Sequence, residues 1–488
     1  MVRKPYPTDE QTRCAMARRH SEAEIDTRHT TFQQGFVWAA LAIALGTGLS
    51  IGAQLAFVLG FGLPVGRGFV SHVQTHGHVQ LVGWAGLMIM GISLHCIPRL
   101  AGVPLARPHW LGPILWLMVS GLSLHSIGRY VAPYLTEYPS FAPVIWLVAI
   151  SGVLEWSGIL LYVQLLIHTF RGARNANQRS ALRSVKPYFG MVVTGWVLYA
   201  GLNLVLLVHM ALDSGTVAHS AWNQFATQSF IGLVLLPVAF AFSIRLLPLY
   251  LRLAVPAWPV CGMAYAYLVA WAVQVLPSAP PLLELAPRVA STLTNLGMLL
   301  KGVVICWFVW QLDVLTRRRA PWTVHRRLHP GPERRPTRPG LPDYGEFGRF
   351  EGLVYAAYVW LVLAAACEGV TGLTALVGQP FFVSSNAVRH MYLLGFVTLL
   401  IFGMAVRMLP GFLQQRRVAS PALVAATFWL GNAAVVCRVL PFVLPPMLLQ
   451  GVPGSAVLAS TAFAVSGLLG WVAVCCLAVN LWKTARAA

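Results

Sequence analysis

The chain has 488 residues, of which 57% are hydrophobic and only 10% charged, and its mean hydropathy is +0.66. A water-soluble core does not need so much apolar sequence, and repeated runs of about 20 apolar residues mean transmembrane helices, so a soluble globular enzyme is excluded. The formal charge of +20 does not point to nucleic acid, because the basic residues lie between the apolar runs and not among aromatics on a polar domain.

Residues 1–31 are polar and basic with no apolar stretch ahead of a cleavage site, which predicts a cytoplasmic tail. Four apolar runs follow, near Phe36 to Gly60, Ser71 to Leu100, Trp110 to Val131 and Val144 to Phe170. A loop carrying Arg171, Arg174, Arg179, Arg183 and Lys186 leads to four more, near Tyr188 to Ala211, Trp222 to Leu249, Trp258 to Leu276 and Ala286 to Leu312. From Asp313 to Arg349 the chain holds nine arginines with several prolines and glycines, and reads as an irregular cytoplasmic connection. Runs near Gly352 to Leu376, Ala387 to Pro410, Pro421 to Leu444 and Ala456 to Trp482 complete the set. The expected fold class is thus an all-α polytopic membrane protein of 12 transmembrane helices in three pseudo-repeats of four, at 32–170, 171–312 and 350–488. The cysteines show no CxxC or zinc-like spacing, and all but Cys14 lie in or beside apolar runs, as small core residues do.

Lysine and arginine gather at the amino tail, after every even-numbered run (Arg99 and Arg107, the Arg171 loop, Arg252, the arginine-rich connection, Arg416 and Arg417) and at the carboxyl tail. The positive-inside rule then puts both termini in the cytoplasm, in the plasma (inner) membrane of a prokaryotic cell. Reporter fusions should place 313–349 inside and the segment between the last two runs outside; periplasmic reporter activity from the arginine-rich connection would overturn this topology.

Internal repetition organises the chain. His78, Gly83, Gly91 and Pro98 recur at the same spacings as His390, Gly395, Gly403 and Pro410. A third copy keeps Arg245 and Pro248 where Arg407 and Pro410 stand, but has Gln228 in the histidine position, 150 residues after His78 and 162 before His390. Such self-similarity dictates architecture. The second run opens with His72, His76 and His78, and polar groups at the mouth of a spanning helix are costly without a partner. One reading is that they line the water interface; the other is that neutral imidazoles bind haem iron or another metal. His125, Arg129, His209, His219 and Arg438 fall in the same outer layer. His76 and His78 point about 200° apart on one helix, so each could serve a different metal.

The pattern His76-x-His78, Gly83-Trp84, Gly91, His95, Pro98-Arg99 resembles the histidine-bearing helices of haem–copper oxidase catalytic subunits, especially cb-type oxidases and nitric oxide reductases. The tenth run, with RHMYLLGF and FGMAVRMLPGF, is similar still more to the NnrS family of haem- and copper-containing membrane proteins linked to nitric oxide. The resemblance implies a b-type haem clamped near the outer face by histidines of the second and tenth helices, with His76 matching the oxidase ligand while His78 matches His390 through the repeat. Arg129, Arg389 and Arg438 could meet haem propionates, and copper could be held by two or three of His72, His125, His209 and His219. It further implies nitric oxide or another small gas as ligand, an electron donor and membrane lipid as partners, and no nucleic acid. Any enzymatic activity would be that of an oxidoreductase acting on nitric oxide or oxygen, and no catalytic residue is assigned. The chain departs from the oxidase pattern in two places. Val388 stands two before His390, where oxidases have a second ligand, and the sixth and seventh runs carry no core histidine.

Two further readings stand beside this one. Glu155, Lys301 and Glu368 lie at membrane depth and could carry protons or serve pairing. Twelve spans with internal repeats also suit a secondary transporter without cofactor, although the repeat is threefold and the polar residues collect at one end, not at a midplane site.

Overall fold

The computed structural model describes residues 32–173, 182–319, 346–379, 383–443 and 454–487. The amino tail and most of the arginine-rich connection lie outside the described residues. Among the described residues there are twelve helical spans: α1 Gln34–Gly60, α2 Phe69–Ala101, α3 Pro108–Tyr134, α4 Phe141–Arg171, α5 Lys186–Leu212, α6 Ser220–Leu251, α7 Val260–Ser278, α8 Pro287–Leu312, α9 Phe350–Leu376, α10 Ser385–Phe412, α11 Pro421–Val443 and α12 Ser455–Arg486. Each is long and apolar enough to cross a bilayer, and large apolar side chains such as Trp116, Trp429 and Leu458 face outward, so the chain is an integral membrane protein.

The three helices that carry the repeat are the inner ones. In α2, α6 and α10, 72 to 78% of the most apolar stretch is buried, against 33 to 50% in the other nine. Around them the others close a ring, with α3, α4 and α5 packed in series, then α7, α8 and α9, then α11, α12 and α1. The closure of the last helix on the first depends on small residues: a Cβ on Gly467 would lie 2.5 Å from Ala53 Cα, and Trp471 Nε1 donates to the Leu45 carbonyl at 3.0 Å. Each inner helix with one outer arc bounds a sector of the bundle, which gives three spaces between helices. These spaces straddle the sequence repeats, running α2 to α5, α6 to α9, and α10 through α12 to α1.

Each inner helix also has a π-helical segment, at Val79–Gly86, Ile231–Leu235 and Met391–Thr398. In α2 and α10 it begins on the residue after His78 and His390. A π turn adds a residue to the helical repeat and so resets which face later side chains occupy; such turns concentrate at functional sites. Thr398 in the α10 segment accepts a hydrogen bond from Trp84 Nε1 in the α2 segment at 3.3 Å, which locks two of the central helices together at that depth. The described cysteines are unpaired and half-buried.

Candidate functional site

Each of the three spaces contains a polar cluster, and the clusters differ in how completely their groups are satisfied. The histidine run supplies two of them. His76 and His78 diverge, as residues two apart on a helix must.

His76 turns towards α1 and α10. Its ring lies against Gly52, where a Cβ would come within 2.4 Å of the imidazole, so only glycine leaves room for it. His76 Nδ1 bonds to the Gly48 carbonyl at 2.8 Å, and His390 Nδ1 bonds to the Asn386 carbonyl one turn back on its own helix, also at 2.8 Å. A carbonyl can only accept, so each Nδ1 carries the proton and each Nε2 keeps its lone pair. No hydrogen-bond partner to either Nε2 is present among the described residues. His390 lies within electrostatic range of His76, Arg389 and Arg438, which gathers four of the residues singled out from sequence into the space bounded by α10, α11, α12 and α1. The Arg438 guanidinium sits 4.2 Å from the Phe463 ring centroid. Two neighbouring imidazoles, each fixed in its tautomer by a backbone carbonyl and with Nε2 unpartnered among the described residues, are the kind of donors that haem iron takes in bis-histidine ligation, so these residues fit the group.

His78 turns the other way, into the α2 to α5 space, as its repeat equivalence with His390 requires. Its ring stacks on His125 of α3, with centroids 4.0 Å apart and planes at 14°. His78 Nε2 bonds Glu155 Oε2 of α4 at 2.8 Å and Nδ1 bonds the Tyr199 hydroxyl of α5 at 2.8 Å. Glu155 reaches this point because α3 and α4 touch at Gly121, one turn before His125, where a Cβ would lie 2.7 Å from Glu155 Cγ. His78, His125 and Glu155 are buried and each offers a ligand atom within 4.8 Å of the others. Arg129 belongs to this side. Its guanidinium donates to Gln74 Oε1 at 2.5 Å, and Gln74 in turn binds both the N–H and the carbonyl of Ala218, pinning the segment before α6. His72 is buried nearby, stacked on Tyr130 and bonded through Nε2 to its carbonyl at 3.1 Å. His209 and His219 are exposed.

The third cluster joins α7, α8, α9 and α10 and holds no histidine among the described residues. Glu368 Oε1 accepts from Lys301 Nζ at 2.9 Å and from Gln274 Nε2 at 2.7 Å, and Oε2 accepts from the Tyr392 hydroxyl at 2.7 Å. Lys301 and Glu368, read from sequence as proton carriers or a pair, form a buried ion pair.

Tyr199 and Gln74 carry no signal that sequence reading used. A tyrosine in an apolar span looks like core, whereas Gln74 lies inside the histidine run and its polarity was visible there. Glu155 stood out for its depth but not as the neighbour of His78. A cavity of about 440 Å³ lies farther along the central helices, lined by apolar side chains such as Ile92, Leu166 and Met404 with Arg99 and Arg245; none of His76, His78, His125 or His390 lines it.

No family model and no curated protein matches the sequence. Among solved structures, the fold is similar to that of a haem–copper terminal oxidase determined as a dimer by electron cryomicroscopy. The TM-score is 0.62 at 14% identity, covering 95% of this chain and 84% of the oxidase chain. At that identity the likeness establishes the fold: twelve helices on a haem–copper oxidase-like scaffold.

Proposed function

We propose that this membrane protein binds a haem between α2 and α10, which the imidazoles of His76 and His390 would hold. The observation that carries the reading is the matched state of these imidazoles, each with Nδ1 tied to a backbone carbonyl and Nε2 without a partner. Haem iron bound through two imidazoles supplies one-electron transfer. The chain's own contribution is to fix the tautomer and direction of each ring and to place Arg389 and Arg438 where charge-assisted hydrogen bonds can meet carboxylates. Through its resemblance to the NnrS family we assign it a role in nitric oxide metabolism or protection, with an electron donor as partner. Cells lacking the protein should then be more sensitive to nitric oxide than to peroxide; equal sensitivity with and without the protein would remove this role.

A divergent oxidase or nitric oxide reductase subunit is the second reading, favoured by the scaffold. Against an oxidase-type binuclear centre, α6 and α7 present no histidine to hold a second metal beside the haem.

The ligand choice is testable within α2. His76→Ala should abolish the low-spin spectrum, while His78→Ala should leave it in place. If His78→Ala loses the haem and His76→Ala keeps it, the assignment is reversed and the reading of α2 fails.

A further inference from the structure

We infer that His78, His125 and Glu155 form a second, non-haem metal site, binding one first-row transition ion of the kind that favours imidazole: zinc, copper or iron(II). The inference does not depend on the haem reading, since the two sites share no ligand and face different spaces.

Three buried atoms carry it. His125 Nδ1, His125 Nε2 and Glu155 Oε1 are shielded from solvent and have no hydrogen-bond partner. His125 Nδ1 and Glu155 Oε1 face each other at 3.7 Å, too far for a hydrogen bond. A buried imidazole with neither nitrogen satisfied is expensive, because each unmade bond leaves its desolvation cost uncompensated. The Glu368 cluster shows the contrast: there a buried carboxylate has both oxygens occupied by Lys301, Gln274 and Tyr392. In the α2 to α5 cluster the unmatched His125 Nδ1 and Glu155 Oε1 face each other, and only the His78 side of Glu155 is occupied.

The donor set selects the ion. Two imidazoles and one carboxylate suit zinc, copper or iron(II), whereas calcium and magnesium require mostly oxygen ligands. An ion held by these donors would replace the His78 to Glu155 hydrogen bond and would require the stacked His78 and His125 rings to turn so that both lone pairs meet it. His78 then gives up its Nε2 proton and carries one on Nδ1 instead, donating to the Tyr199 oxygen already 2.8 Å away. Tyr199 thereby becomes the outer partner that fixes the ligating tautomer, as metal-bound histidines require. Gly121 is a positioning residue here, since it sets the α3 to α4 distance.

The test uses the full-length protein purified with its haem. Total zinc, copper and iron are measured by mass spectrometry after dialysis against each ion in turn, and haem iron is counted separately by pyridine haemochrome. Wild-type protein should hold one transition ion per chain beyond haem iron. His125→Ala and Glu155→Gln should lower that ion at least tenfold with haem unchanged, His209→Ala should leave it, and His390→Ala should lose haem but keep the ion. Independently of any variant, copper(II)-loaded protein should show electron paramagnetic resonance splitting from two imidazole nitrogens. Wild-type protein that takes up none of the three ions, bound copper without nitrogen splitting, or an ion that survives His125→Ala in folded protein would each overturn the inference and leave the cluster as a water-filled polar pocket.

Discussion

Replacing His390 by Ala is expected to remove the low-spin haem spectrum and to lower haem content about tenfold or more, in a protein that still inserts. The side chain is half-buried and its one hydrogen bond is to its own helix, so the helix itself loses little. Removing His390 takes away one of the two imidazoles that would hold the iron, and α10 carries no second histidine to replace it, since position 388 is valine. Absorbance and electron paramagnetic resonance on the purified variant read the effect directly. An unchanged low-spin spectrum would remove His390 as a ligand and with it the pairing of α2 and α10.

The second large effect is on stability. Lys301→Met leaves the Glu368 carboxylate buried with hydrogen bonds from Gln274 and Tyr392 but no countercharge. Breaking one side of a buried pair costs on the order of 3–5 kcal/mol, because the remaining ion stays desolvated, whereas removing both partners is often close to neutral. The seam around the pair gives little room to relax, since a Cβ on Gly302 would lie 2.6 Å from the Ala365 carbonyl and one on Gly372 2.3 Å from that of Asn295. Lys301→Met should therefore lower the thermal unfolding temperature in detergent substantially, and the double variant Lys301→Met with Glu368→Gln should recover most of the loss. A double variant as unstable as the single one would show that the pair is not the source.

Much of the architecture is legible in the sequence because bilayer crossing imposes it. A spanning helix must be a long apolar run, so the twelve spans and most of their limits follow from composition; α1 ends at Gly60 and α11 begins at Pro421 as the runs suggest. The repeat likewise picks out α2, α6 and α10, since three copies of one helix in a single chain fit one shared central position. The site is less legible, for a physical reason. Which face a histidine occupies depends on helix rotation, and the π turns after His78 and His390 reset it in a way that no residue type announces. His125, Glu155 and Tyr199 meet only because α3, α4 and α5 pack in series at glycine contacts, and none of them repeats elsewhere in the chain. His209 and His219 look equally promising in sequence, yet both are exposed, because depth in the membrane does not say whether a side chain faces the bundle or its surroundings. Arg129 shows the same limit: it shares a layer with Arg389 and Arg438 but turns to Gln74 on the opposite side of α2.

Whether the His76 and His390 imidazoles hold a haem is read from the absorption and low-temperature electron paramagnetic resonance spectra of purified wild-type protein with its haem counted per chain. The expected result is one haem per chain with the split visible bands and rhombic low-spin signal of bis-imidazole iron. A colourless protein that remains so after incubation with haemin would contradict it and leave the oxidase-like scaffold serving another purpose, such as transport.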